Sequence, residues 1–220
     1  MRVSTPPGAI GDRRPPVPAR ERFRGRIAGV GSTSGVRLVV GNWSETPLGS
    51  FADVMVERAD GHRILLAPCE AVRDVIVATY VFDEVRIEPV AIEEHRDAWL
   101  ISAPSLDLDL TIGRRPALGH LLKAVPPPLA TSTAWASLVD PIAFRLVGVS
   151  TRGTARAGLR EWYGATDLRS VTALAGRFDD ASLGGLAPVD PPCRFGFSST
   201  PRTPSLTTVV TTIGTVADRD

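Results

Sequence analysis

Lysine is almost missing from this chain: of 25 basic residues only Lys123 is one. A single side-chain amine leaves one candidate for any Schiff-base chemistry. Cysteine is as scarce, with Cys69 and Cys193 far apart and no metal-type ligand beside either. Two thiols in 220 residues rule out a disulfide framework and suit a reducing compartment. His62, His95 and His120 are widely spaced and no His-Glu-x-x-His occurs, so the spacing offers no metal centre. Neither a metal nor a cofactor is expected. Net charge is lacking as well, at 25 basic against 24 acidic residues. No whole-molecule field therefore favours nucleic acid or an anionic membrane. Nor is there a long apolar run. "LLKAVPPPLATSTAWASLVDPIAF" is interrupted by Lys123, by Pro126, Pro127 and Pro128, and by Asp140, short of the roughly 20 apolar residues of a spanning helix. No transmembrane span is expected, and the location expected is cytoplasmic.

What the chain does contain begins with "MRVSTPPGAIGDRRPPVPARER", rich in proline and arginine and without the apolar stretch of a signal peptide. Residues 1–22 read as a disordered arm. A single domain follows over 23–214, with 215–220 as a tail. Its pattern is mainly that of strands. "VRLVVGNW" is rich in β-branched residues, and "FADVMVERADGHRILLAP" sets two apolar runs around Asp60-Gly61, a hairpin signal. In "CEAVRDVIVATY", Val72, Val75, Ile76 and Thr79 fall on one helical face. "EVRIEPVAIEE" and "AWLISAP" read as a strand pair. "SLDLDLTIG" alternates, with Asp107 and Asp109 on a wet face. Helical composition returns at "ALGHLLKAV" and "AWASLV", then strands at "LREWYGATD", "SVTALAGRFD" and "SLTTVVTTI". The fold class expected is α+β, dominated by antiparallel sheet.

Gly29-x-Gly31-x-x-x-Gly35 looks like a dinucleotide fingerprint as a string. Such a loop needs a helix N-terminus after it to hold the pyrophosphate, and here "VRLVVGNW" follows, a strand. The reading is a hairpin loop, whose only functional role would be to gate a cavity by its flexibility. Glu93-Glu94 and Asp179-Asp180 lie beside turn signals and read as solvated loop charges.

"TPLGSFADVMVE" carries more. Its alternation places Phe51, Asp53, Met55 and Glu57 on one face and Ala52, Val54 and Val56 on the other. An acid beside Phe and Met fits the border of an apolar cavity with a few polar groups, the usual make-up of a small-molecule site. An edge-strand side chain reaching water is the competing reading. "REWYGATD" concentrates Trp162 and Tyr163, either as a cavity wall or as core.

The order of these elements, with "TPLGSFADVMV", a hairpin, the short helix "CEAVRDVIVATY", further strands and the ending "SVTALAGRFDDASLGGLAPVDPP", resembles the acetoacetate decarboxylase-like superfamily. That resemblance implies a cone-like antiparallel β fold around a largely apolar cavity, with Asp53 at the family's acidic position. It also implies a reactive lysine after the short helix, where this chain has "TYVFDEV" with neither proline nor lysine. The expectation is thus a protein that binds a small, largely apolar, carbonyl-bearing molecule without Schiff-base decarboxylation, its ligand lined by Asp53, Phe51, Met55, Trp162 and Tyr163. Two alternatives stay open: a decarboxylase or aldol-type lyase using Lys123, and an interaction protein docking through segment 117–147. A homo-oligomer is compatible with each.

Overall fold

In a computed structural model the residues described are 21–126, 152–154, 159–196 and 200–215. The Pro/Arg-rich arm lies outside them except for Glu21 and Arg22, which already belong to a strand; most of segment 117–147 and all of the tail but Thr215 also lie outside the described residues. β1 (Glu21–Ser32) and β2 (Arg37–Glu45) form an antiparallel hairpin with Gly41 opposite Ile27 and Gly25 opposite Trp43. Of the glycine-rich stretch, Gly29 and Gly31 lie within β1 and Thr33, Ser34 and Gly35 form the turn to β2. Its amides are already used: Thr33 N donates to Gly185 O at 2.8 Å, Ser34 N to Leu183 O at 3.2 Å and Gly35 N to Ser32 O at 3.0 Å. With these donors turned to backbone carbonyls and a strand following, the loop lacks the free amides that bind phosphate.

β3 (Phe51–Glu57) and β4 (Arg63–Ala67) complete the next hairpin about Asp60-Gly61. Gly61 there takes φ +89°, a conformation open to glycine without cost, and Arg58 N donates to His62 O at 2.9 Å. α1 (Glu70–Val77) then buries Val72 and Ile76. Pro89 divides "EVRIEPVAIEE", which was expected to pair as one unit with "AWLISAP". Its first part, β5 (Glu84–Ile87), runs parallel to β4, and only the second, β6 (Ala91–Glu94), pairs with β7 (Ala98–Ala103). A proline has no N–H to give the ladder, so a strand turns away there. β8 (Leu106–Ile112) alternates buried and exposed residues throughout, with Asp107 and Asp109 exposed.

α2 (Ala117–Ala124) packs on the strand that follows it in the sheet, after the short β9 (Arg152–Thr154). That strand, β10 (Leu159–Phe178), unites "LREWYGATD" and "SVTALAGRFD", which the sequence suggests as two. Its ladder is irregular between Ala165 and Asp167 and again between Val171 and Ala173. Such irregularities bend and twist a strand, and β10 changes partner along its length. β11 (Ala181–Ser182) and β12 (Leu186–Ala187) are short, and β13 (Ser205–Thr215) closes the order. The first half of β10 pairs with β13 and the second with β8. The sheet runs β5-β4-β3-β2-β1-β13-β10-β8-β7-β6, all antiparallel but for β4 and β5, and curls into a half-barrel.

Two cores use the two faces of this sheet. Inside the curl, Val30, Leu38, Val54, Val56 and Ile64 from one wall meet Trp99, Ile101, Leu108, Leu110 and Phe178 from the other. On the outer face, Val39, Met55 and Leu65 pack against Val72, Ile76 and Tyr80 and against Val189, Cys193 and Phe195. The segment carrying these last three is held by Glu57. Its carboxylate, fully buried, accepts from Arg194 N at 2.6 Å and from Arg194 Nε at 2.9 Å. The guanidinium of buried Arg37 lies 3.1 Å away and also donates to Arg58 O and Pro191 O. Both cysteines are free thiols, and burial pushes that of Cys193 up to about 12, which leaves it unreactive in the folded chain. Among the described residues no helix is long and apolar enough to cross a membrane.

Candidate functional site

β2 and β3 are joined by "TPLGS", and their register brings Trp43 opposite Phe51 and Gly41 opposite Asp53. Across a sheet, diagonal neighbours two residues apart remain within reach of a long aromatic side chain. Trp43 uses this: its indole N–H donates to Asp53 Oδ1 at 2.8 Å. Gly41 supplies the room. A Cβ there would lie 2.5 Å from Asp53 Oδ1 and 2.6 Å from Trp43 Nε1, closer than any side chain tolerates. Asp53 therefore sits buried in mid-sheet on the outer face, with only 5% of its surface exposed.

Above it is a cavity of about 60 Å³. Phe51, Asp53 and Met55 form one side, Val39, Gly41 and Trp43 the next, and Phe23, Ile27 and Thr211 the third, while Val75, Ile76, Thr79 and Tyr80 of the α1 region roof it. Three aromatic rings meet there. Phe23 and Trp43 stand edge to face with centroids 6.1 Å apart, and Trp43 and Phe51 lie at 6.3 Å. The polar groups are few. Asp53 is the one carboxyl among the described lining residues. Thr211, 2% exposed, has a buried hydroxyl with no hydrogen-bond partner among the described residues.

Burial raises the Asp53 carboxyl from its usual 3.8 to about 7, the Trp43 hydrogen bond opposing only part of that rise. Removing a carboxylate from water disfavours its charged form. A carboxyl near neutrality can donate as the acid, accept as the carboxylate, or pass a proton between the two.

The structure thus brings together three of the residues expected from sequence, Asp53, Phe51 and Met55. It places Trp162 and Tyr163 on β10 opposite Thr212 and Thr211, their side chains lying outside the described ones. Lys123 is exposed on α2 and does not line the cavity. Of segment 117–147 only 117–126 is described, with Leu121 at 64% exposure. Trp43, Gly41 and Thr211 escaped the sequence reading. The signal for the first two was there, because pairing "VRLVVGNW" with "FADVMVE" about the "TPLGS" loop sets the small residue opposite the acid. Among the described residues no group of three or more His, Cys, Asp or Glu is placed to hold a metal ion. Comparison with known proteins finds no family model that matches the chain and no matching curated protein.

The Gly41 contact gives a direct check. Gly41→Ala is expected to push Asp53 and the Trp43 indole apart, costing about 1–3 kcal/mol as overpacking does. An alanine in a strand normally gains stability over glycine, so the sign distinguishes the two cases. Urea unfolding reads the cost, and an indole N–H resonance of Trp43 that stays in place would contradict it.

Proposed function

We propose that this chain is a ligand-binding, non-decarboxylating protein of the acetoacetate decarboxylase-like type, its cavity holding a small, largely apolar molecule by one polar group. The observation carrying this reading is Asp53, a buried carboxyl held by one indole N–H in a cavity otherwise lined by aromatic and aliphatic side chains. Small-molecule sites combine an apolar wall with a few convergent polar groups in just this way. The resemblance in element order to that superfamily supports the family part of the reading, and so does the half-barrel of antiparallel strands.

The chemistry follows from the carboxyl. As the acid it donates to a carbonyl oxygen, the ligand group that the resemblance suggests; as the carboxylate it accepts from an N–H. Schiff-base chemistry would need an amine in contact with the ligand, and Lys123 is exposed on a helix away from the cavity.

The test uses three probes of one shape, butanone, 2-butanol and sec-butylamine, added at millimolar concentration while the Trp43 indole N–H resonance is followed. At least one is expected to move it, and Met55→Trp, which fills the cavity, to abolish the response. If all three leave the resonance unmoved, the small-molecule reading fails. A parallel incubation with acetoacetate and borohydride is expected to leave Lys123 unmodified. A reduced adduct on Lys123 would replace this reading with the lyase one.

A further inference from the structure

The polar group of the ligand can be specified further, an inference that rests on the small-molecule reading above. We infer that the cavity takes a small organic cation, a protonated or methylated amine with a short apolar tail, seated against the Asp53 carboxylate among the rings of Phe23, Trp43 and Phe51.

Three observations converge on a cation. The first is a missing counter-charge. Among the described residues β1, β2, β13 and α1 turn no charged side chain into the cavity, and Tyr80 is the only other titratable one lining it; on β10, Tyr163 stands opposite Thr211 with its side chain outside the described ones. A buried carboxylate is ordinarily paired with a cation or made neutral. Among the described residues its one side-chain hydrogen-bond partner is Trp43, an uncharged donor, and none of them supplies the compensating charge, which a ligand would bring.

The second is the kind of hydrogen bonding on offer. An indole N–H can only donate, and it fixes Asp53 Oδ1 as an acceptor. The Thr211 hydroxyl, buried and without a partner among the described residues, can also accept on the same cavity. An ammonium group brings up to three N–H donors and no acceptor, which matches this set. A ketone brings only acceptors, so it would be met only by the Thr211 hydroxyl or by Asp53 in its protonated form.

The third is aromatic density. The chain is only 6% aromatic, yet Phe23, Trp43, Phe51 and Tyr80 all line this one cavity. Aromatic faces attract cations through their quadrupoles, and grouped rings are a recurring means of holding methylated ammonium ions. The volume, about 60 Å³, is well under the about 150 Å³ of a cavity that holds benzene. That restricts the cation to a short-chain amine or the head group of a longer one.

Binding of a cation requires an ionised Asp53, so it is linked to proton release from a carboxyl that titrates at about 7. The amine stays protonated throughout, since its own titration lies near the lysine value of about 10. Affinity for sec-butylamine is therefore expected to rise about tenfold per pH unit from pH 5, levelling above pH 7, close to a 100-fold gain by pH 8. Asp53→Asn, which keeps an acceptor for Trp43, is expected to abolish both the affinity and its pH dependence. Thr211→Val is expected to weaken binding severalfold while keeping that dependence.

Affinity for the amine that is flat or falls with pH overturns the inference, as does an Asp53→Asn variant that binds it like the wild type. Butanone bound with the amine inert also overturns it, while leaving the cavity a small-molecule site. None of the three probes bound removes both readings together.

Discussion

Glu57→Ala is expected to lower folding stability by about 3–5 kcal/mol, the usual effect of leaving one member of a buried ion pair without the other. Arg37 is 4% exposed and Glu57 is fully buried, so the stranded guanidinium cannot turn to water. Its Nε already has no partner. The Glu57 carboxylate also binds Arg194 through both the backbone and the side chain, and with it the segment that carries Val189, Cys193 and Phe195 into the outer core. Phe195 O in turn accepts from Val81 N at 2.7 Å, just beyond the helix that roofs the cavity. Losing Glu57 is thus expected to loosen the outer face before the half-barrel interior. Urea unfolding gives the global cost. Thiol labelling reports the local one, because Cys69 is exposed and Cys193 buried. In the wild type one thiol should react promptly; in Glu57→Ala the second should follow much faster. A paired replacement, Arg37→Met with Glu57→Leu, is expected to recover only part of the stability, since apolar residues of similar volume can substitute for a buried pair while Arg194 N still loses its acceptor. A loss below about 1 kcal/mol in the single variant would show that Glu57 does not hold this segment.

That pair also shows what a sequence can and cannot disclose. Alternation along "FADVMVE" put Glu57 on the face of Phe51, Asp53 and Met55, and the structure keeps it there, buried rather than wet. Its partner Arg37 stands directly opposite in the β2–β3 register, so the pairing follows once the hairpin is drawn. Local signals served well wherever one residue type settles the backbone: Gly61 in its turn, the strand after Gly35, the strict alternation of β8. They failed where the deciding contact is distant in sequence. Nothing near residue 165 announces that β10 continues through its irregularities to exchange β13 for β8. Only the curl of the sheet, which must close over Trp99 and Leu108, requires it. Likewise the cavity was half legible. Asp53 stood out because a carboxyl beside Phe and Met needs an explanation, whereas Thr211 and Phe23 reach the same cavity through a pairing between β1 and β13. These strands lie nearly the whole chain apart, and no local pattern joins them.

Asp53→Asn is expected to make the protein more stable at pH 8 and about 1 kcal/mol less stable at pH 4. The sign follows from the two titrations. In the unfolded chain the carboxyl loses its proton near 3.8, and in the folded chain it keeps it until about 7. Between those values the folded state binds more protons, so stability falls as pH rises through the window, by about 1.4 kcal/mol per unit. The fall ends above pH 7, where both states are ionised. Its total is roughly 4 kcal/mol. Asparagine does not titrate and still offers Trp43 an oxygen, but its amide brings donors that need partners, costing about 1–2 kcal/mol. The net gain at pH 8 is then roughly 2–3 kcal/mol, read as a rise in the urea midpoint at constant slope. An equal difference at pH 4 and pH 8 would show that Asp53 titrates as it does in water. The expected result bears on function as much as on stability. Accepting from the Trp43 indole needs only an oxygen, which a neutral amide also offers, so the ionisable carboxyl costs stability at neutral pH beyond what that contact requires. Stability given up at one buried position is the usual mark of a working site. A bound cation would restore it, by supplying inside the cavity a charge that none of the described lining residues provides.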